Sequence, residues 1–273
     1  MRLYERAKNK ARFTAQRWVM RAGRVVGLYA YEPSAENRKW LDELTEYIED
    51  GRPIRDKRPT TLDEVERDLT ITLEGLEDIL ELKQFRGRRV LEVGPKYGIH
   101  SLWLDRVLEP AELVFCDFAE DKHRHESWKS ELRSPHSFVY GDLREANELT
   151  AMAPFGLVFF LGVMYHSVYH LPLLVMLNKV TQLGGTVLFE TTFDPRPDAC
   201  VRLRWQSKTG KAKAVPSIEA LRVMLAWTGF RRVRHLTDYR PGSSEAIFLC
   251  EKTDELEPGR DFAAIVRPPR LPS

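Results

Sequence analysis

Two kinds of hydrophobic spacing divide the chain. Up to about residue 85, apolar side chains recur every three or four positions, which is the spacing of one helical face. Beyond Arg88, short runs rich in β-branched and aromatic residues alternate with helical stripes. The runs predict strands over residues 89–93, 113–116, 157–161, 186–191 and 246–250. The pattern therefore predicts an α/β fold, with a mainly parallel sheet and helices on both faces.

Three helices are predicted before the first strand. Their apolar stripes cover residues 3–29, 34–51 and 62–80. We expect them to form an N-terminal helical extension over residues 1–85, followed by the main domain over residues 86–253. The final segment, residues 254–273, is rich in proline and charge, which predicts a mobile tail.

Helices of the main domain carry start and stop signals. Pro172 suits the first turn of one helix, and Gly184 and Gly185 would end it. Ser217 would begin a last crossover helix that ends at Gly229. These helices would cover the strands that flank them.

The composition fits a globular protein. Of 273 residues, 43% are apolar and 30% are charged, which excludes collagen-like and wholly disordered chains. The longest apolar run, at residues 155–164, is about half of the roughly 18 residues that a membrane-spanning helix needs. Cys116, Cys200 and Cys250 are widely spaced, which fits neither a disulfide framework nor a zinc cluster. We therefore expect a cytoplasmic protein with no transmembrane segment.

Positive charge is concentrated at the N-terminus. Residues 1–30 hold eight basic side chains and one acidic one, although the whole chain has a net charge of only +2. Such a helix can contact RNA phosphates or an anionic membrane surface. Alternatively, its apolar stripe packs on the main domain or on a second copy of the chain, and its charges stay in water. A homo-oligomer joined through N-terminal helices is therefore among the expectations.

The first predicted strand runs into the sequence LEVGPKYGIHS at residues 91–101. In a strand-to-helix turn, Gly94 and Gly98 let the backbone approach a ligand closely, and the next helix offers N–H groups to an anionic end of that ligand. Lys96 and Tyr97 stand where the dinucleotide fingerprint would carry further glycines, which disfavours pyrophosphate. The turn predicts a nucleotide-like ligand, with a plain tight turn as the alternative.

Acidic residues follow the first predicted strands. Glu92 lies near the end of the first, and Asp117, 25 positions later, lies where a doubly wound fold binds ribose hydroxyls. Asp142, followed by Leu143, lies where the third strand should end, within reach of an adenine edge. The three acids together predict an adenosine site. Either aspartate can instead cap the helix that follows it.

The region from Arg89 to Phe193 resembles a class I S-adenosylmethionine-dependent methyltransferase. The motifs LGVMYH at 161–166 and LFET at 188–191 resemble the bacterial tRNA wobble-uridine carboxymethyltransferase family, as do the segments GIH at 98–100 and VPS at 215–217. The resemblance implies a Rossmann-like fold and an S-adenosylmethionine cofactor. Together with the turn and the acids, it places the cofactor beside Glu92, Gly94, Gly98, Asp117, Asp142, Leu143, Leu161 and Tyr165.

The chain departs from that family at two places. Ser167 and Val168 stand where family members usually carry two arginines after the Tyr-His pair. Ser244 and Glu245 lie where members of that family carry a basic residue that helps to bind the extra carboxylate of their modified cofactor. These changes favour ordinary S-adenosylmethionine and a small-molecule acceptor, such as a hydroxyl of a sugar, nucleoside or natural product. Modification of tRNA wobble uridine and a non-catalytic binding protein are the alternatives.

A hydroxyl acceptor requires a base. His166 is the first candidate, because it follows the fourth predicted strand and imidazole titrates near neutral pH. Glu190 and His170 are the further candidates. The alternative for His166 is a hydrogen bond to a loop carbonyl.

The segment at residues 194–215 combines cations with one tryptophan. In the superfamily that the chain resembles, an insertion at this place often covers the acceptor. Arg204 and Trp205, together with Tyr165, are therefore predicted to contact the substrate, through charge and stacking. A solvated surface hairpin is the alternative.

Overall fold

A computed structural model describes residues 73–96, 98–126, 128–206, 211–236 and 245–256. The helices are α1 (Leu73–Ile79), α2 (Ile99–Leu108), α3 (Lys122–His125), α4 (Asn147–Met152), α5 (His170–Val180) and α6 (Ile218–Trp227). The strands are β1 (Arg89–Val93), β2 (Glu112–Asp117), β3 (His136–Tyr140), β4 (Phe155–Leu161), β5 (Thr181–Thr192), β6 (Val201–Gln206), β7 (Lys211–Pro216), β8 (Arg232–His235) and β9 (Glu245–Glu251). Within these residues no helix has the length and apolar character that a membrane span requires.

Seven strands form one sheet in the order β3-β2-β1-β4-β5-β9-β8. The strands from β1 to β5 pair in parallel, whereas β9 runs antiparallel to both β5 and β8. The order reverses between β1 and β4, and in such sheets the crevice at the carboxyl ends of these strands is where ligands bind. The predicted strands are all present, and the mainly parallel sheet is confirmed.

The sheet separates two hydrophobic cores, because successive residues of a strand point to opposite faces. On β4, Leu157 and Phe159 contribute to the core that includes residues of α1 and α2. Val158 and Phe160 contribute to the other core, which includes residues of α4, α5 and α6. Helices therefore cover both faces, as predicted.

The helix α5 ends earlier than the sequence predicts. Its last residue is Val180, and β5 begins at Thr181 rather than after Gly184 and Gly185. Thr181 adopts an extended backbone and pairs with Phe155 of β4, while its hydroxyl donates to the Leu177 carbonyl (2.6 Å). Pairing with the sheet thus ends the helix before the glycines are reached.

The helix α6 begins as predicted. The Ser217 hydroxyl accepts a hydrogen bond from the Ala220 N–H, which makes Ser217 the N-cap. The same hydroxyl oxygen lies 3.1 Å from the Cys200 nitrogen and accepts its N–H. The cap thereby also fixes the start of β6.

The segment between β5 and α6 forms a separate two-stranded antiparallel sheet, β6–β7. At its base, the buried carboxylate of Asp194 forms ion pairs with Arg196 (2.9 Å) and Arg202 (3.4 Å). Residues 207–210, between the two strands, lie outside the described residues. The two-stranded sheet places β7 beside the turn that follows β4.

Several predictions fall outside the described residues. These are the helices over 3–29 and 34–51, most of the stripe over 62–80, and nearly all of the tail. Of the third predicted helix, over residues 62–80, the structure describes the part that forms α1. The domain boundaries at residues 85 and 253 and the role of the basic helix therefore stay predictions.

Candidate functional site

The turn between β1 and α2 requires glycine at two positions. Gly94 and Gly98 have φ angles of 71° and 75°, in the left-handed region that side chains disfavour. A Cβ atom on Gly98 would lie 2.2 Å from the Trp128 ring, and one on Gly94 would lie 3.1 Å from Val163. The turn therefore keeps its shape only if these two positions carry no side chain, and Gly98 is the N-cap of α2.

Glu92 connects the two sides of this turn. It lies in β1, is 4% exposed, and its Oε2 accepts a hydrogen bond from the Ser101 hydroxyl of α2 (2.6 Å). Burial raises the pKa of Glu92 to about 7; the Ser101 hydrogen bond opposes that rise, and the Asp117 charge adds to it. Glu92 thus fixes β1 to the start of α2, and its carboxyl group titrates near neutral pH.

Asp117 is the last residue of β2, as the strand pattern predicts. Its Oδ1 accepts the Phe118 N–H (2.8 Å), and its Oδ2 lies 3.1 Å from Nε2 of His125. The Asp117 side chain is 9% exposed. A carboxylate has about four lone-pair positions, so each oxygen can accept one further hydrogen bond. This arrangement fits the two adjacent hydroxyls of a ribose.

Asp142 caps the 3-10 turn that follows β3, over Leu143–Glu145. Its Oδ1 accepts the Arg144 N–H (2.9 Å), and its carboxylate forms an ion pair with the Arg144 guanidinium. That hydrogen bonding lowers the pKa of Asp142. The guanidinium carbon lies 4.3 Å from the centre of the Tyr169 ring. The structure thus shows the capping role of Asp142, and its contact with an adenine stays a prediction.

Parallel pairing brings the acids to one edge of the sheet. The register pairs Asp117 of β2 with Tyr140, which ends β3 two residues before Asp142. Both aspartates act on the same buried thiol, since burial and then the charges of Asp117 and Asp142 raise the pKa of Cys116 to about 12. The glycine turn and these carboxylates therefore meet at the carboxyl ends of β1, β2 and β3.

A second group of side chains lies at the ends of β4, β5 and β9. The 3-10 turn Met164–His166 follows β4 and carries Tyr165, whose ring centre lies 4.2 Å from Nζ of Lys213. Burial, followed by the charges of Glu190 and Glu245, raises the pKa of Tyr165 to about 12. The same two acids act on Lys213, although burial lowers the pKa of its ammonium group. These four residues therefore form one charged cluster, which we call the Tyr165 cluster.

The three predicted bases differ in exposure. His166 is exposed, and its ring centre lies 4.3 Å from that of Tyr165. Glu190 is 1% exposed in β5 and belongs to the Tyr165 cluster. His170 begins α5 and is buried, and this burial lowers its pKa; hydrogen bonds that the ring donates to the backbone of Ser167 and Ala214 act in the opposite direction. The structure brings His166 and Glu190 to the same group as Tyr165.

The remaining predicted site residues are placed as follows. Leu161 is the last residue of β4, and Leu143 is buried in the turn that Asp142 caps. Arg204 and Trp205 belong to β6 and pair with Lys213 and Ala212 of β7. Their side chains lie outside the described part of the structure, so their contact with a substrate stays a prediction.

Two residues of the site were missed by sequence reasoning. Lys213 is one of several cations in the segment 194–215, and only the fold shows that its ammonium reaches Tyr165. His125 lies in α3, in the run KHRH, which carries no recognised motif. Among the described residues, no group of three His, Cys, Asp or Glu side chains is arranged to hold a metal ion.

No family model matches the chain. A tRNA U34 carboxymethyltransferase of Shewanella putrefaciens is 27% identical over 212 residues, which are 68% of this chain and 61% of that protein. The protein of the same name in Pseudoalteromonas translucida is 25% identical over 163 residues, with 56% and 48% covered. The chain thus spans about half to three fifths of the length of these relatives.

Solved structures resemble the chain over most of its length. The 1,6-didemethyltoxoflavin-N1-methyltransferase of Burkholderia thailandensis, solved with bound 1,6-didemethyltoxoflavin and S-adenosylhomocysteine, has a TM-score of 0.53, 15% identity, and coverage of 82% of this chain and 93% of that one. The N-terminal domain of EvdMO1 with S-adenosylhomocysteine has a TM-score of 0.54, 14% identity, and coverage of 78% and 97%. The chain has the class I methyltransferase fold, as its motifs predict.

Proposed function

We propose that the chain is an S-adenosylmethionine-dependent methyltransferase that methylates a hydroxyl of a small molecule, such as a sugar, nucleoside or natural product. The observation that carries this proposal is the meeting of the glycine turn with Asp117 and Asp142 at the carboxyl ends of β1, β2 and β3. In doubly wound sheets this crevice holds nucleotide-like ligands. The solved relatives with bound S-adenosylhomocysteine share the fold.

The residues present fit an adenosyl ligand. Gly94 and Gly98 would let the backbone approach the methionine part of the cofactor, and the first N–H groups of α2 could bind its carboxylate. Asp117 has accepting positions left for the ribose hydroxyls. Asp142 and Leu143 would flank the adenine, and Leu161 and Tyr165 the sulfonium. Glu92 holds the turn in place from within the sheet.

When bound, the cofactor supplies a methyl group on a positively charged sulfur that leaves easily. The protein must hold the acceptor oxygen in line with the methyl carbon and exclude water, and such positioning accounts for roughly 7–11 kcal/mol of barrier reduction. His166, at the edge of the Tyr165 cluster, would take the hydroxyl proton as the new C–O bond forms. Glu190 and His170 are the other candidates for this role.

The neutral residues at the mouth favour a small acceptor over RNA. Ser167 and Val168 follow the Tyr-His pair, and Val168 is 55% exposed, so these two positions offer no cation to a phosphate chain. The β6–β7 sheet brings Lys213 to the same edge, and Arg204 and Trp205 are also residues of this small sheet. We expect this small sheet to cover the acceptor.

The proposal is tested in two steps. Mass spectrometry of the freshly purified chain for carried-over ligand shows whether ordinary or carboxylated S-adenosylmethionine accompanies it. Transfer of a labelled methyl group to a panel of sugars, nucleosides and phenolic natural products then identifies the acceptor class. Carried-over carboxylated cofactor, or binding of the cofactor without transfer to any acceptor, would contradict the proposal; the latter would favour a non-catalytic binding protein.

Modification of tRNA wobble uridine is the second candidate function. It is supported by the two curated relatives and by the basic segment at residues 1–30. If it is correct, tRNA retention falls steeply as the salt concentration rises. The double change Arg17→Ala and Arg21→Ala should make this dependence on salt shallower, because each phosphate contact that is lost means about one counterion fewer released on binding. No retention at low salt would exclude this candidate.

A further inference from the structure

His125 occupies an unusual place for an imidazole. Its side chain is fully buried, yet both ring nitrogens have polar partners: Nε2 lies 3.1 Å from Oδ2 of Asp117, and Nδ1 lies 3.1 Å from the Tyr140 hydroxyl. A carboxylate accepts hydrogen bonds and donates none, so Nε2 carries the proton. In the neutral ring Nδ1 then accepts the proton of the Tyr140 hydroxyl. The hydrogen bond between His125 and Asp117 therefore runs from Nε2 to Oδ2.

Aromatic contacts hold the imidazole in this orientation. Its ring stacks on Phe138 (centroids 5.2 Å apart) and on Tyr140 (5.7 Å), and it meets the Trp128 ring edge-on at 5.6 Å. These contacts come from β3 and from the turn after α3. His125 consequently has little freedom to rotate away from Asp117.

The aromatic cage around His125, formed by Trp128, Phe138 and Tyr140, also contacts the glycine turn. Trp128 is fully buried and fills the space where a Cβ atom of Gly98 would lie. One packed unit therefore sets both the backbone of the turn and the direction of the Asp117 carboxylate. These are the two features on which the proposed adenosyl pocket depends.

We propose that His125 is a positioning residue that fixes the Asp117 carboxylate for the two hydroxyls of a ribose. The inference rests on the proposed function, because it assumes an adenosyl ligand at Asp117. With Oδ1 held by the Phe118 N–H and Oδ2 by Nε2 of His125, the carboxylate plane is fixed and one accepting position remains on each oxygen. A side chain fixed in advance loses no rotational freedom when ligand binds.

The test compares two ligands by calorimetry on the full chain: S-adenosylhomocysteine, and an analogue that lacks both ribose hydroxyls. His125→Phe keeps a ring of similar size but removes the donor to Asp117. We expect it to weaken binding of S-adenosylhomocysteine about tenfold, which is the usual effect of one hydrogen bond to a charged group. Binding of the analogue should stay the same, since the analogue makes no use of Asp117.

Two further variants separate positioning from folding. His125→Gln places an amide N–H where Nε2 donates, so its affinity for S-adenosylhomocysteine should be close to that of the unchanged chain. If the phenylalanine variant does not fold, the glutamine variant replaces it in the comparison. His123→Gln, on the same helix but exposed, should bind both ligands as the unchanged chain does.

Each outcome is informative. An equal loss for both ligands in His125→Phe and His125→Gln would mean that His125 only supports the fold, and unchanged binding of both would mean that it has no role; either result overturns the inference and leaves the proposed function standing. If the unchanged chain binds neither ligand, the proposed function fails and the inference fails with it.

Discussion

The ammonium group of Lys213 lies over the ring of Tyr165, 4.2 Å from its centre, although the two residues belong to separate elements of the fold. Tyr165 follows β4 of the main sheet, whereas Lys213 belongs to β7 of the two-stranded sheet. The charges of Glu190 and Glu245 act on both. The small sheet thereby supplies a cation to the mouth of the crevice, next to the neutral Ser167 and Val168.

This contact should contribute measurably to stability. In a double-mutant cycle of Tyr165→Leu and Lys213→Met, we expect a coupling free energy of about 0.5–1 kcal/mol, the usual size of a partly exposed cation–π pair. Urea unfolding of the four proteins measures it. Lys83→Met, at an exposed position far along the chain from either residue, should show no coupling with Tyr165→Leu. A coupling free energy of zero for Tyr165→Leu and Lys213→Met would mean that the two groups do not interact in solution.

Gly98→Ala should destabilise the chain strongly, because the added Cβ both meets the Trp128 ring and sits at a φ of 75°. Overpacking and the left-handed backbone together should cost about 2–4 kcal/mol of unfolding free energy. Gly184→Ala is the matched control: its φ is 73°, but a Cβ there meets nothing within 4 Å. It should cost about 1–2 kcal/mol, for the backbone alone. Equal losses in urea unfolding would show that Trp128 does not fill the space beside the turn.

Glu92 should make stability fall as pH rises. Because its pKa is raised from 4.5 to about 7 in the folded chain, the folded state binds more protons than the unfolded state between these values. The resulting loss of unfolding free energy is on the order of 3 kcal/mol, fully present above pH 7 and absent below about pH 4.5.

Glu92→Gln, which cannot ionise and can still accept from the Ser101 hydroxyl, should remove this slope. Urea unfolding at pH 5, 6, 7 and 8 gives the difference between the two proteins, so that other titrating groups cancel. We expect the glutamine variant to gain stability relative to the unchanged chain as pH rises. A difference that is constant with pH would show that Glu92 has an ordinary pKa.

The strands and the acids at their ends were predictable because both depend on local sequence. The run RVLEV at 89–93 is rich in apolar and β-branched residues, which predicts a strand from the sequence alone. Parallel pairing of the strands is then sufficient to bring Asp117 and Asp142 to one edge of the sheet. Likewise Ser217 could be identified as a cap from its position before an apolar stripe.

What could not be predicted depends on distant contacts. The end of α5 is set by the pairing of Thr181 with Phe155 in the sheet, and the helix propensities of the α5 residues do not predict this pairing. Lys213 reaches Tyr165 only because the small sheet folds against the turn after β4, and His125 reaches Asp117 only through the aromatic cage around it. In each case the partner lies on another element, and its direction follows from packing.

Calorimetric titration of the full chain with S-adenosylhomocysteine, repeated on Asp117→Ala and on the control Asp198→Ala at an exposed loop position, decides whether an adenosyl ligand binds at Asp117. We predict saturable binding at one site, a loss of about 1–3 kcal/mol of binding free energy in Asp117→Ala through the missing ribose hydrogen bonds, and no change in the control. Binding that is equally strong in a folded Asp117→Ala variant, or no binding by the unchanged chain, would contradict this prediction.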